Sequence, residues 1–281
     1  MKPSVTILFA IITFIGGLGI NSNAFFKVVK KPKAIFIFII GANLIMPLIA
    51  WTLAHLFFPN QQNVITGFIL LMAVPTGMTG YIWSSIYKGN EALSLTLILV
   101  STLLAPILTP YTVSLLSNTS VHIDTAGMMI SLVLMVVIPS IVGTLINNLT
   151  KGEVNNHITP CLKPFSKISL FLIILINTAL VSERLIANAS WAYVPIALTC
   201  AFLAVIGYPI SYMLGGIARL ADKESKSITF ASSLRNVSTA LVLAIAYFPP
   251  ETALPVIFGI VFQQSTCAVM AYVLYGRKKT T

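Results

Sequence analysis

Acidic residues are scarce in this chain: 7 of 281 residues are Asp or Glu, only 9% carry any charge, and there are 3 cysteines and 3 histidines. A soluble globular domain carries about 25% charged residues, so a chain this poor in charge is not built for water. Cys161, Cys200 and Cys267 are too few and too scattered for a disulfide scaffold. His55, His122 and His157 have no nucleophile or metal partner within reach in the sequence. Walker loops, glycine-rich phosphate fingerprints and His-Glu-x-x-His zinc helices are absent. The expected protein is therefore not an enzyme, carries no cofactor, and moves any cargo without ATP. What is abundant is apolar: 57% of residues are hydrophobic and the mean hydropathy is +0.94. The net charge of +10 suggests nucleic acid, but a basic groove needs a polar surface to present it, so no nucleic-acid partner is expected. The lipid bilayer is.

Crossing about 30 Å of hydrocarbon takes about 20 mostly apolar residues. Charge-free runs of that length predict nine spans, near 4–21, 35–58, 65–87, 92–116, 126–147, 165–182, 191–217, 227–248 and 252–275. Cytoplasmic loops retain Lys and Arg. With nine spans, fourteen of the 17 Lys and Arg fall on one side, Lys2 and Arg184 on the other, and Arg235 inside the eighth span. This predicts a multi-pass protein of the cell inner (plasma) membrane, N-terminus outside and C-terminus cytoplasmic. The first span is expected to stay, because its basic cluster follows the apolar stretch and a cleaved leader has it in front.

Proline and glycine inside a span are tolerated where the freed backbone finds partners or lines a cavity. Two places qualify. Pro75, Thr76, Gly77, Met78, Thr79 and Gly80 sit in the middle of the third span, and the polar run Ser232 to Thr239 sits at comparable depth in the eighth. These spans run in opposite directions, and each follows a span with a central proline, Pro47 or Pro209. Such an echo is what an inverted repeat requires, and transporters bind substrate where two discontinuous helices of such repeats meet. Arg235 is the only charge deep in a span, and a central arginine costs about 2.5–3.5 kcal/mol on insertion scales. Either it is a structural arginine bonded to neighbouring carbonyls, or its fork faces a water-filled cavity as an anion ligand or a fixed cation. No carboxylate lies at that depth, which disfavours a proton relay. Asn236, Thr76, Thr79, Asn43, Gln263 and Gln264 are the candidate substrate-binding partners, since amides and hydroxyls at mid-membrane need partners of their own.

The stretch from Pro75 to Pro110 resembles the bile acid:sodium symporter family. A break opening Pro75-Thr76-Gly77 is followed by Gly89-Asn90, Ala92-Leu93-Ser94, Ser101-Thr102 and Pro106 with Thr109-Pro110. Segments Gly17 to Lys33, Ile45-Met46-Pro47 and Phe248-Pro249-Pro250 fit as well. The resemblance implies an all-α polytopic membrane protein with inverted repeats, two crossing discontinuous helices, and a panel domain beside a core domain. The panel is expected at about 4–21, 126–147 and 165–182, and the core at about 35–116 and 191–275. It also implies alternating access driven by two sodium ions behind the crossing.

At the family's ion-binding positions this chain departs. Gly80-Tyr81 replaces Ser-Asn, Ile98 replaces a threonine, Ala231 a glutamate, Arg235 a glutamine and Ala42 a further glutamine; only Ser94 is kept. Losing a carboxylate and adding a guanidinium a few ångströms away should abolish sodium binding. Arg235 would then supply internally the positive charge that sodium supplies elsewhere. The expected function is secondary transport of a small organic anion. The other reading is a non-transporting membrane receptor or scaffold, marked by a cavity plugged by Tyr81, Trp83 and Met78. Substrate identity and oligomeric state are not readable.

Overall fold

The computed structural model describes residues 3–19, 32–117, 124–162 and 193–276, together with 164, 165, 168 and 191. The expected sixth span, the outer loop with His122, and Arg184 lie essentially outside the described residues. The described residues are all-helical, with no strand among them and one isolated bridge. In chain order the helices are α1 (Pro3–Gly17), α2 (Pro32–Phe57), α3 (Gln62–Ala73), α4 (Thr79–Ile86), α5 (Glu91–Leu116), α6 (Thr125–Leu149), α7 (Tyr193–Ile217), α8 (Asp222–Ser233), α9 (Val237–Tyr247) and α10 (Pro250–Gly276). Helices α2, α5, α6, α7 and α10 are each long and apolar enough to cross a membrane. The pairs α3–α4 and α8–α9 are the predicted third and eighth spans, each interrupted where the sequence clusters Pro, Gly and polar side chains.

Helix starts are capped by the polar residues at the ends of the apolar runs. The Asn90 side chain accepts from Leu93 N–H at 3.1 Å, Asp124 from Gly127 N–H at 2.8 Å, and Asn236 from Thr239 N–H at 3.3 Å. Large apolar residues such as Phe36, Leu56, Leu115, Leu149 and Ile217 point outward, as a lipid-facing surface requires. The most enclosed helix is α3, buried at every residue from Val64 to Ala73 and packed on α2, α5 and α10. One interrupted span thus runs through the centre of the bundle.

Helix α1 lies along α6, and the fit depends on two glycines. A Cβ on Gly17 would run into the Ser140 backbone, and one on Gly143 into the backbone of Phe14 and Leu18. Small residues let membrane helices approach this closely. The α1–α6 pair meets the remaining bundle through α5 and α9, Tyr247 at the end of α9 donating to Gly127 O at 2.7 Å. A cavity lies along that contact.

Candidate substrate cavity at the helix crossing

Pro75 ends α3, because a proline after Val74 disfavours the helical backbone at that position and offers no N–H. Helix α8 stops at Ser233, with Leu234 extended. Each interruption leaves carbonyls at a helix C-terminus and amides at the next N-terminus. They satisfy one another. Thr76 and Arg235 form an antiparallel bridge, in which Gly77 N–H donates to Leu234 O at 2.9 Å and Asn236 N–H to Pro75 O at 2.8 Å. A Cβ on Gly77 would sit 2.9 Å from Arg235 O, so only glycine lets the two interrupted segments approach. Thr76, buried, donates its hydroxyl to the end of α8, at Ala231 O and, 2.8 Å away, Leu234 O. Its own N–H donates to Ser101 Oγ on α5 at 3.0 Å.

Arg235 is 2% exposed and the only buried charged side chain among the described residues. Its fork donates to two carbonyls, Ala42 O on α2 and Val74 O at 3.4 Å. The Ala42 carbonyl is free for a reason written in α2. Residues Ile40–Ile45 form a π-helical turn in which Met46 N–H reaches back to Gly41 O, one residue further than in an α-helix. In that register the next acceptor, Ala42 O, would be served by residue 47, which is proline and has no N–H. The guanidinium takes the vacant place. Arg235 N–H donates to Gln263 Oε1 at 3.0 Å, while its Nε–H has no partner among the described residues.

A cavity of about 410 Å³ lies between the α1–α6 pair and the crossing. One wall comes from Ile12, Thr13, Gly16 and Gly17 of α1 with Val136 and Ser140 of α6. The opposite wall is the crossing itself, Thr76 to Thr79 and Arg235 to Ser238, closed by Ile98 and Thr102 of α5 and by Ile260 and Gln264 of α10. The first turns of α4 and α9 therefore open onto one space. Five of the seven predicted substrate-binding residues line it: Thr76, Thr79, Arg235, Asn236 and Gln264. Asn43 and Gln263 are not among its lining residues; Asn43 Oδ1 is buried with no partner among the described residues, and Gln263 sits beneath the Arg235 backbone. Thr13 and Ser140 line the cavity and were not singled out by sequence reasoning, since isolated hydroxyls in apolar spans look like packing residues, and Thr102, named there only within the Ser101-Thr102 motif, lines it too.

Of the residues at the expected ion-binding positions, Ala42 and Ala231 give carbonyls to Arg235 and Thr76 at the crossing, whereas Ser94 lies in the first turn of α5. Gly80 presses on α8, where a Cβ would come 3.1 Å from Phe230 O and 3.3 Å from Ala231 Cα. Ser94 donates to Ser84 Oγ at 2.8 Å, and Ser84 in turn bonds Ser227 Oγ at 3.0 Å, so three buried hydroxyls tie α4, α5 and α8 together. Tyr81 is half-buried, and Ile98 presents an apolar side chain to the cavity.

A description of the Sodium Bile acid symporter family matches residues 6–188. The uncharacterized protein YbaS of Bacillus subtilis is 37% identical over 267 residues, covering 95% of this chain and 87% of its own length. The chain belongs to the bile acid:sodium symporter family. An uncharacterized sodium-dependent transporter of Bacillus subtilis, YocS, is 29% identical over 89% of this chain and 76% of its own. A probable chloroplastic sodium/metabolite cotransporter of rice, BASS2, is 26% identical over 85% of this chain and 56% of its own. The paired breaks and the cavity between them thus belong to a member of a membrane transporter family.

Proposed function

We propose that this protein is a secondary transporter that moves a small organic anion by alternating access. The observation that carries the reading is the cavity shared by the first turns of α4 and α9. Two helix starts on one space turn the positive ends of two helix dipoles toward it, which favours an anionic group even though the Gly77 and Asn236 amides are engaged at the crossing and the Thr239 N–H by the Asn236 side chain. Asn236, Thr79, Ser238 and Gln264 supply neutral hydrogen-bonding groups, and Ile12, Val136, Ile98 and Ile260 supply apolar wall for the body of the substrate. Binding there separates the chain into two bodies. The α1–α6 pair, with the span expected at 165–182, is the panel, and the helices that carry the crossing are the core. This corresponds to nine spans in an inverted repeat within the inner membrane, N-terminus outside. Met78 lines the cavity, but Tyr81 and Trp83 do not, and the space remains open beside Asn236, which favours transport over a scaffold role.

The same reading has Arg235 as a fixed cation rather than a ligand fork. Its guanidinium is directed to the carbonyls of Ala42 and Val74, neither of which lines the cavity. The residues fit sodium poorly: Ala231 and Ala42 offer no side-chain oxygen, and Gly80 leaves no space against α8. A second cation a few ångströms from an arginine is repelled. The Arg235 charge would stand in for the coupling ion, and the cycle would run without sodium. Purified protein screened by thermal shift against organic anions, in sodium and in choline, tests this. The expected result is stabilisation by some carboxylates or sulfonates to the same extent in both salts. Stabilisation that requires sodium would overturn the sodium-free cycle, and no response to any anion would overturn the substrate class.

A further inference from the structure

We infer that this protein is an obligate anion exchanger, returning across the membrane only when it carries an anion in each direction. The inference rests on the transporter reading above and concerns how the cycle closes. Among the described residues, Arg235 is the only charged side chain that is buried, and no Asp, Glu or His lines the cavity beside it. Its hydrogen-bond partners, Ala42 O and Val74 O, are neutral dipoles that orient the guanidinium and leave its full positive charge in place. Its Nε–H has no partner among the described residues.

Alternating access passes through an occluded state in which the cavity is sealed from water on both sides. With an anion inside, Arg235 and the cargo together carry no net charge. Empty, the same state holds an uncompensated cation from which the cavity water has been withdrawn, and the cost of a central arginine sets the upper bound of the penalty at about a hundredfold. The empty carrier therefore returns slowly and the loaded carrier quickly. Here the cation is tethered to the chain and cannot leave. Net movement of a monoanion also transfers charge, which 100 mV biases by about fiftyfold, whereas one-for-one exchange of monoanions is electroneutral.

The test uses full-length protein in liposomes in sodium-free potassium sulfate medium, so that no halide serves as counter-anion, with radiolabelled pyruvate and radiolabelled cholate as small and bulky carboxylate probes. Efflux of internal label is followed into medium with and without the same unlabelled anion. Exchange is expected to exceed net efflux at least about tenfold, part of the hundredfold penalty being offset by the two carbonyls. Exchange is also expected to be unchanged by a potential imposed with valinomycin. Equal rates with and without external anion would overturn obligate exchange and leave the transporter reading standing. Movement of neither probe in either mode would overturn both. In Arg235→Gln the ratio is expected to fall toward one, and in Arg235→Lys to stay well above it; if the neutral variant does not fold, the wild-type ratio and the voltage response decide alone.

Discussion

Thr76 joins the two interruptions through a single hydroxyl, and Thr76→Val removes it while keeping the shape of the side chain. The hydroxyl donates to Ala231 O and Leu234 O at the C-terminus of α8. The two acceptors do not suffer equally. Leu234 O keeps the Gly77 N–H at 2.9 Å, but the helical partner of Ala231 O would be Arg235 N–H, which donates instead to Gln263. The substitution thus orphans one buried carbonyl, at a cost of about 1–3 kcal/mol. For a protein this size that lowers the thermal midpoint by roughly 2–12 °C. Differential scanning fluorimetry of the purified protein measures it, with Thr76→Ser, which keeps the hydroxyl, expected to lose much less. If the valine variant were as stable as wild type, or the serine variant the worse of the two, the hydroxyl would not be what ties α8 to the first break.

Gly143→Val is expected to separate α1 from α6, because its side chain would meet the Phe14 and Leu18 backbone; the purified variant should show a lower thermal midpoint and lose the cavity's anion response. Ser227→Ala removes an oxygen that bonds Ser84, the Asn90 N–H and the Asn90 and Lys223 carbonyls, and should cost about 1–3 kcal/mol by the same fluorimetry, without changing the apparent affinity for anion. A changed affinity with unchanged stability would move the serine cluster from a structural to a ligand role.

The five long apolar helices and the two interruptions were legible because each is a local property of the chain. A run without charge is long enough to cross or it is not, and Pro75, Gly77, Gly80 and the polar run 232–239 stand out against an apolar background. That the interruptions face each other was suggested by the Pro47 and Pro209 echo and by family resemblance, since no local pattern specifies a contact between residues 76 and 235. The side-chain assignments were less readable. Gln263 and Gln264 look alike in sequence, but neighbours on a helix point about 100° apart. One therefore lies under the Arg235 backbone while the other reaches the cavity. The direction of the Arg235 fork was unreadable for a different reason: it depends on a π-helical turn in α2, and a one-residue change of helical register leaves no compositional mark.

That dependence makes Pro47 and Arg235 energetically coupled, although they stand on different spans. With proline at 47, Ala42 O has the guanidinium as its donor, and Arg235→Gln leaves that buried carbonyl without one. Pro47→Ala restores an N–H at the position that serves Ala42 O in the π register, so in the double variant the carbonyl is satisfied within α2. The loss from Arg235→Gln should accordingly be smaller in the Pro47→Ala background by about 1–3 kcal/mol, the cost of one orphaned acceptor. Chemical or thermal unfolding of the four proteins closes the cycle. Additivity within about 0.5 kcal/mol, the behaviour of independent sites, would mean that the Ala42 carbonyl does not hold the guanidinium. Coupling of the expected sign would tie the seat of the buried charge to a proline 188 residues away in the chain, and would explain how a cation stays buried with no buried carboxylate among the described residues.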